Sequence, residues 1–299
     1  MNRDSITVKA PAKLNLYLDV VGRRVDGYHD LETVMQTVSL YNTVCVTAAE
    51  PGVRLTCDHP GLPTDARNTA YRAAEAFAKA AGIEPRWHID IRKGIPHEAG
   101  MGSASADAAG VLVGLNALYD APLAEEALLA VAVTIGADVP FLLKGGTMLC
   151  KGIGDAMAPL DPLNGLWFVV VKGEQGFSTP EVFARFDKQE PPGIFLVDGL
   201  QKALEENRPN RVAKHLANRL EYCLFDTPIA EYKMLMMQCG ALGAAMTGSG
   251  SAAFGAFVSE PQAHVAARDF RSRAQDRFGG DIFVDVVRPV AHGPIAGSL

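Results

Sequence analysis

No Gly-Lys dipeptide occurs in this sequence, which excludes a Walker A phosphate loop, and no HRD or DFG triplet marks it as a protein kinase. Its five cysteines, Cys45, Cys57, Cys150, Cys223 and Cys239, are scattered, odd in number and never in a CxxC spacing. That pattern sets aside a disulfide framework or a zinc site and favours reduced, mostly packed thiols in a cytosolic setting. No segment reaches the ~18 apolar residues that a membrane span needs, and Met1 to Ser5 lead into an alternating strand instead of a long apolar run. Neither a membrane nor a secretory route is therefore expected. No block of Lys and Arg is long enough to make a nucleic-acid or anionic-membrane surface, and 28 basic against 34 acidic side chains leave a net charge of -6. Any recognition of phosphate must be local. No internal repeat or low-complexity tract is present.

What the chain does contain is a glycine- and serine-rich turn, Gly100 to Ser105, that runs directly into a helical pattern. Val111, Leu112, Leu115 and Leu118 recur at helical spacing, which predicts an amphipathic helix from about Ala104 to Leu118. The first amides of such a helix have no partners within it, and they and the positive end of the dipole attract an anion. Gly100 and Gly102 allow the backbone to approach that anion closely. A tight loop that only packs is the alternative reading.

At 299 residues the chain exceeds the usual limit of a single core, so two domains of about 150 residues each are expected. The first part is mostly sheet, with strand-like runs at Ile6 to Val21, Thr33 to Leu40, Thr43 to Ala48, Val53 to Cys57 and Trp87 to Ile91. Asn68 and Thr69 cap a helix with the apolar stripe Ala70, Ala73, Ala74, Phe77 and Ala81, ended by Gly82. Another helix runs from about Leu123 to Ile135 and stops at Gly136, leaving Asp138 in a turn before Pro140. Two strand-like runs then flank a turn at Gly152 to Asp155. The stretch Ala158 to Gly165, with Pro159 and Pro162, has the composition of a linker and puts the boundary between residues 1–160 and 161–290. The second half reads as a strand at Leu166 to Val171, several helices between Pro180 and Gln238, a glycine-rich turn, a further helix and a final strand from Ile282 to Val290. Residues 291–299, small and with Pro and Gly, read as a mobile tail.

Lys13 and Asn15 fall on the same side of a strand, two residues apart. A lysine on an apolar strand is unusual; it is either an edge or surface lysine or one with an acidic partner, for which Asp138 is the candidate. Spacing alone does not establish that pair. A second glycine-rich turn, Thr247, Gly248, Ser249 and Gly250, either brings amides and hydroxyls to the same ligand or merely joins two strands. With Ala253 it also matches a GxGxxA spacing, but outside any clear parallel βαβ unit. Tyr28 and His29 are either a buried polar pair or flat, hydrogen-bonding surfaces for a base.

Taken in order, these segments resemble the GHMP kinase superfamily, and the run from Gly22 to Thr33, with Asp26, Gly27, Tyr28 and His29 consecutive, narrows the likeness to one branch. Pro11 to Asn15, Gly136 to Pro140 and Ser178 to Phe183 match the same branch, so the resemblance spans nearly the whole chain. It implies a two-domain α+β fold, a ribosomal protein S5 domain 2-like first domain and a ferredoxin-like second. The implied activity is Mg²⁺-dependent transfer of the ATP γ-phosphoryl group to the 2-hydroxyl of 4-diphosphocytidyl-2-C-methyl-D-erythritol, a cytidine diphosphate substrate, in non-mevalonate isoprenoid synthesis. Lys13 and Asp138 would be the catalytic pair. Pro96, Gly100, Met101, Gly102, Ser103, Ala104 and Ser105 would hold ATP phosphates, with Asn68 near the adenosine. Asn15 would help to position the methylerythritol, Tyr28, His29 and Phe183 would grip the cytosine, and Thr179 and Pro180 would also bind the substrate. Mg²⁺ would use few protein ligands, Ser105 first and Asp138 second. Monomer and weak homodimer both stay open.

One departure stands out: the family usually has three consecutive glycines in its phosphate loop, and Ser103 and Ala104 occupy the second and third. Either these positions use ordinary torsions, with Ser103 adding a hydroxyl contact, or the grip on the nucleotide differs. The departure keeps a homoserine or mevalonate-type GHMP kinase in view. A non-catalytic ligand sensor on the same fold is disfavoured by the presence of both Lys13 and Asp138, and a nucleic-acid binder by the acidic balance.

Overall fold

A computed structural model describes residues 4–189 and 195–297. The chain opens on two long antiparallel strands, β1 (Ser5–Arg23) and β2 (His29–Ala48), followed by β3 (Gly52–Cys57), α1 (Thr69–Ala81), β4 (Arg86–Arg92) and α2 (Ser103–Leu118). Then come α3 (Glu125–Ile135), α4 (Val139–Lys144), β5 (Thr147–Gly152) and β6 (Ala156–Pro159). The remainder is β7 (Trp167–Lys172), α5 (Thr179–Phe186), α6 (Asp198–Glu205), α7 (Pro209–Lys214), β8 (Ala217–Asn218), a 3-10 turn at Arg219–Cys223, α8 (Ile229–Gln238), β9 (Ala244–Met246), β10 (Ala253–Phe257), α9 (Glu260–Phe278), β11 (Phe283–Val287) and β12 (Ile295–Gly297). The first sheet runs β12-β1-β2-β4-β3, with β5 and β6 continuing from β2 and β8 lying beside β1; the second is antiparallel, in the order β11-β7-β10-β9. This is an α+β architecture built on two sheets. No described helix is long and apolar enough to cross a membrane.

Local chemistry explains the best-read elements. Asn68 accepts from the Ala70 amide, and Gly82, at φ 65°, closes α1 in the left-handed conformation that its sequence position predicts. Gly136 also stands at a helix end, but its φ of 176° is extended backbone, so the freedom of glycine is not what stops α3. The cysteines are free thiols, with Cys150 and Cys223 buried.

Two expectations are overturned. Residues 291–297 do not form a tail: Lys9 pairs with Ile295 and Thr7 with Gly297, because the outer edge of β1 carries backbone donors and acceptors that β12 satisfies. Residues 298–299 lie outside the described residues. Nor is α2 amphipathic: Ala106, Asp107, Ala108, Ala109, Gly110, Val111, Leu112, Gly114 and Leu115 are all buried, since the helix is enclosed by β1, β2, α1, α3 and α4. The strand expected at Ile282 to Val290 also ends early, and Pro289 bridges to Val38 in the first sheet.

The chain passes from the first sheet to the second between Pro159 and Trp167, yet the halves share a core. Phe168, Val170, Phe254 and Ala256 face the core of the first half, while their strand neighbours Val169, Val171, Ala253 and Phe257 face that of the second. Both faces of the second sheet are buried, which is why β7 is an unbroken apolar run.

Gly110 marks a tight helix-on-sheet seam in the first half, since a Cβ there would meet Val44 Cγ2 at 2.9 Å and the Ala10 Cβ at 3.3 Å. Gly110→Val is expected to destabilise the protein by about 1–3 kcal/mol through overpacking, measurable as a lower urea midpoint at unchanged m-value.

Candidate active site

Lys13 sits in the interior of β1, pointing into the seam between the halves, and is only 3% exposed. It is not an edge lysine, because β2 pairs with β1 throughout this stretch and the Lys13 amide donates to the Met101 carbonyl on the other side. A buried ammonium needs acceptors. Its Nζ donates to Asn15 Oδ1 at 2.6 Å and lies 3.6 Å from Asp138 Oδ2. Asp138 occupies the N-cap position of α4, one-third exposed, so the carboxylate borders both the lysine and the open cleft.

Two glycine turns enclose this pair. Gly100 and Gly102 have φ values of 70° and 73°, and α2 begins at Ser103 with no side chain capping its first amides. Ser103 and Ala104 are therefore helical, and replacing glycine there imposes no torsional strain. Ser103 adds no hydroxyl to the cleft: its Oγ donates to the Ile95 carbonyl and the residue is buried. Ala104 is exposed and Ser105 partly so, both in the first turn of α2; Pro96 is half-buried, while the Met101 side chain is sealed in the core and offers only backbone. The second turn, 247–252, joins β9 to β10 and is also docked on the first. Thr247 Oγ1 donates to the Gly100 carbonyl at 3.2 Å, and the Ser251 and Ala252 amides donate to Glu98 and Ala99. A Cβ on Gly248 would lie 2.9 Å from the Gly100 oxygen and 3.2 Å from Lys13 Nζ, so the ammonium fits only under a glycine. Gly250, at φ 84°, is shut in by Phe177 and Met246, and Ser249 Oγ meets Thr179 Oγ1 at 2.8 Å.

Asn15, expected to help position the methylerythritol, is 2% exposed; its Oδ1 accepts from Lys13 while its Nδ2 donates to Thr33 Oγ1. Asn68 engages both ends of its amide locally, with the Ala70 amide and the Pro63 carbonyl. His29 and Phe183 are brought together, rings stacked with centroids 4.7 Å apart. Tyr28 is not: it is exposed on the β1–β2 hairpin, and no ring contact joins it to either among the described residues. Thr179 and Pro180 open α5, exposed, on the same side of the second turn.

Sequence reasoning missed the supports. Asn42 accepts from the Gly94 and Ile95 amides and donates to Ser103 and Asp107, and Lys93 Nζ lies 2.6 Å from Asp107 Oδ2, both side chains buried. Burial pushes the Asp107 carboxyl up, with the Lys93 ammonium opposing it. These contacts pin both ends of the phosphate loop; a lysine and an aspartate bracketing the glycines were the available signal. Asp187, whose Oδ1 is 2.7 Å from His29 Nε2, follows Phe183 by one helical turn and could have been found by that spacing.

The arrangement matches known proteins. Residues 68–146 fit the family model of the GHMP kinases N terminal domain and residues 200–276 that of the GHMP kinases C terminal. A 4-diphosphocytidyl-2-C-methyl-D-erythritol kinase of Desulfitobacterium hafniense is 42% identical over 276 residues, covering 91% of this chain and 94% of that one. A solved structure of a 4-(cytidine 5'-diphospho)-2C-methyl-D-erythritol kinase is 33% identical with a TM-score of 0.77, covering 94% of this chain and 98% of its own. A homoserine kinase of Cytophaga hutchinsonii superposes with a TM-score of 0.81 at 22% identity over 99% and 98% of the two chains, a likeness of fold alone. The chain belongs to the GHMP kinases, in the family of 4-diphosphocytidyl-2-C-methyl-D-erythritol kinases.

Proposed function

We propose that this enzyme transfers the γ-phosphoryl group of ATP to the 2-hydroxyl of 4-diphosphocytidyl-2-C-methyl-D-erythritol, with Lys13 and Asp138 as the catalytic pair. The observation that carries the reading is a buried ammonium 3.6 Å from a half-open carboxylate, directly under two glycine turns. Unpaired amides at the start of α2 suit the triphosphate, and Gly100, Gly102 and Gly248 allow its close approach.

In a loose phosphoryl-transfer transition state the alcohol keeps its proton until late, so the Asp138 carboxylate serves as its acceptor and as the group that orients the nucleophile. Lys13, held by Asn15, presents fixed positive charge to the entering oxygen and the transferring group without having to reorganise. Among the described residues no group of three or more His, Cys, Asp or Glu side chains is placed to hold a metal ion. The oxygen donors at hand, Ser105 Oγ and the Asp138 carboxylate, fit a Mg²⁺ ion bound chiefly by ATP oxygens and water. Such an ion would neutralise charge on the phosphates.

For the cytidine end, His29 and Phe183 are already in ring contact, so a base packs beside the pair within reach of the free edge of the imidazole, with the exposed Tyr28 closing over it as the hairpin folds in. Thr179 and Pro180 line the path between base and phosphates.

A phosphocysteine intermediate at Cys150, the thiol that senses the charges of both Asp138 and Lys13, is disfavoured: burial first, and then the Asp138 carboxylate, push it up to about 12, so it stays neutral. Folding therefore favours the protonated thiol; that contribution is intact below the ordinary thiol range and is lost only as pH rises towards 12.

Asp138→Asn is expected to lower kcat by about 10²–10⁴-fold while leaving ATP and cytidine-substrate dissociation constants within a few fold; a variant with full turnover removes Asp138 from the mechanism. Tyr28→Ala should weaken the cytidine substrate by about 1–3 kcal/mol and leave ATP unaffected, as read by calorimetry. Cys150→Ala should retain turnover, and Cys150 should resist iodoacetamide at pH 8 until the protein unfolds.

A further inference from the structure

His29 opens β2 in the first half, and α5 in the second half grips its ring with three side chains of one helical face. Phe183 stacks on the imidazole at 4.7 Å with planes 22° apart, Phe186 meets its edge at 6.3 Å and 89°, and Asp187 Oδ1 approaches Nε2 to 2.7 Å. Positions 183, 186 and 187 are spaced i, i+3, i+4, so one turn of helix delivers a wall, a stop and an acceptor together. The second oxygen of Asp187 lies 3.5 Å from Arg23 Nη2, which fixes the carboxylate in turn.

A carboxylate accepts hydrogen bonds and has no proton to give, so the proton in the His29–Asp187 bond resides on Nε2. In the neutral ring Nδ1 is then a bare acceptor. Nδ1 has no hydrogen-bond partner among the described residues, and the one sealed, unsatisfied side-chain polar atom among them is Tyr17 Oη, so Nδ1 stays open to solvent.

We propose that Asp187 is a positioning residue that holds His29 as the Nε2–H tautomer, offers Nδ1 to the exocyclic amine of cytosine, and so selects cytosine over uracil. The inference rests on the assignment of His29 to the cytidine end of the cleft. Cytosine presents a donor at its 4-position, which completes the bond. Uracil presents a carbonyl oxygen there and sets lone pair against lone pair, leaving two acceptors unpaired. Recognition through a fixed acceptor needs no charge on the protein and adds none beside the diphosphate.

Two experiments test this. Long-range ¹⁵N–¹H spectra at neutral pH, with the His29 signals identified by their loss in His29→Gln, should show Nε2 protonated and Nδ1 bare; a ring protonated at Nδ1 overturns the proposal. In steady-state assays Asp187→Ala should raise KM for the cytidine substrate about tenfold, leave KM for ATP and kcat within a few fold, and narrow the preference over the corresponding uridine analogue. Asp187→Asn should restore most of that preference, since its amide oxygen still accepts from Nε2. If His29→Ala weakens the cytidine substrate while Asp187→Ala leaves the cytidine-to-uridine preference unchanged, Asp187 has no such role and the cleft assignment stands. If His29→Ala leaves KM for the cytidine substrate unchanged, the assignment and the inference both fall. Should Asp187→Ala weaken ATP equally, the fold is damaged and the tautomer spectrum of the intact enzyme decides.

Discussion

A lysine ammonium almost wholly removed from water is the constraint around which this site is built. Taking such a charge out of solvent is costly unless it is paired and hydrogen-bonded, and every element near Lys13 answers that demand. Asn15 accepts a hydrogen bond from it, Asp138 supplies the opposing charge, and Thr247 braces Asn15 from the second half by accepting from its backbone amide. Close approach answers it too: a Cβ on Gly102 would come within 3.2 Å of Lys13 Cγ, and one on Gly248 within 3.2 Å of its Nζ. A side chain at Gly248 would crowd the ammonium itself, and one at Gly102 its aliphatic stem.

The seam that holds this lysine is also where the halves are fused. β7 and β10 show alternate residues to two cores, and Arg219 reaches back from the second half to bind Asp19 of β1 through Nε at 2.6 Å and Nη2 at 3.2 Å. A seam this apolar and this well paired does not open as a hinge between loosely tethered domains. Motion on substrate binding falls instead to the parts with little buried surface, above all the β1–β2 hairpin that carries Tyr28. On the proposed assignment, phosphates meet a rigid floor and the base a wall with one movable side.

What the sequence disclosed follows the range of the forces concerned. The cap of α1 at Asn68, its left-handed stop at Gly82 and the start of α2 within one residue of expectation are all set by neighbours along the chain. The all-round burial of α2 and the recruitment of 291–297 into the first sheet depend on partners far away, so composition misread one as amphipathic and the other as a tail. The same division runs through the site. Lys13, Asp138 and both glycine turns stood out by residue type, whereas Asn42 and Thr33 act by where they lie in space and carry no unusual local pattern.

The altered phosphate loop illustrates the point at single-residue scale. A run of glycines suggests that each position needs left-handed torsions, yet only Gly100 and Gly102 adopt them; Ser103 and Ala104 already belong to α2. The chain lost nothing by giving them side chains, and Ser103 gained an anchor to Ile95. The strain lies elsewhere, at Glu98, a non-glycine residue at φ 50° whose carbonyl receives the Ser251 amide and whose side chain packs over Gly176. A left-handed residue with a Cβ is disfavoured by roughly 1–2 kcal/mol and persists where its surroundings over-determine it. Here they do, because the same Ser251 also donates to the Gln175 carbonyl and so ties the first turn, the second turn and the approach to α5 at one point. The two glycine turns and the approach to the helix that grips His29 therefore meet at Ser251, joined by hydrogen bonds and not by chain adjacency.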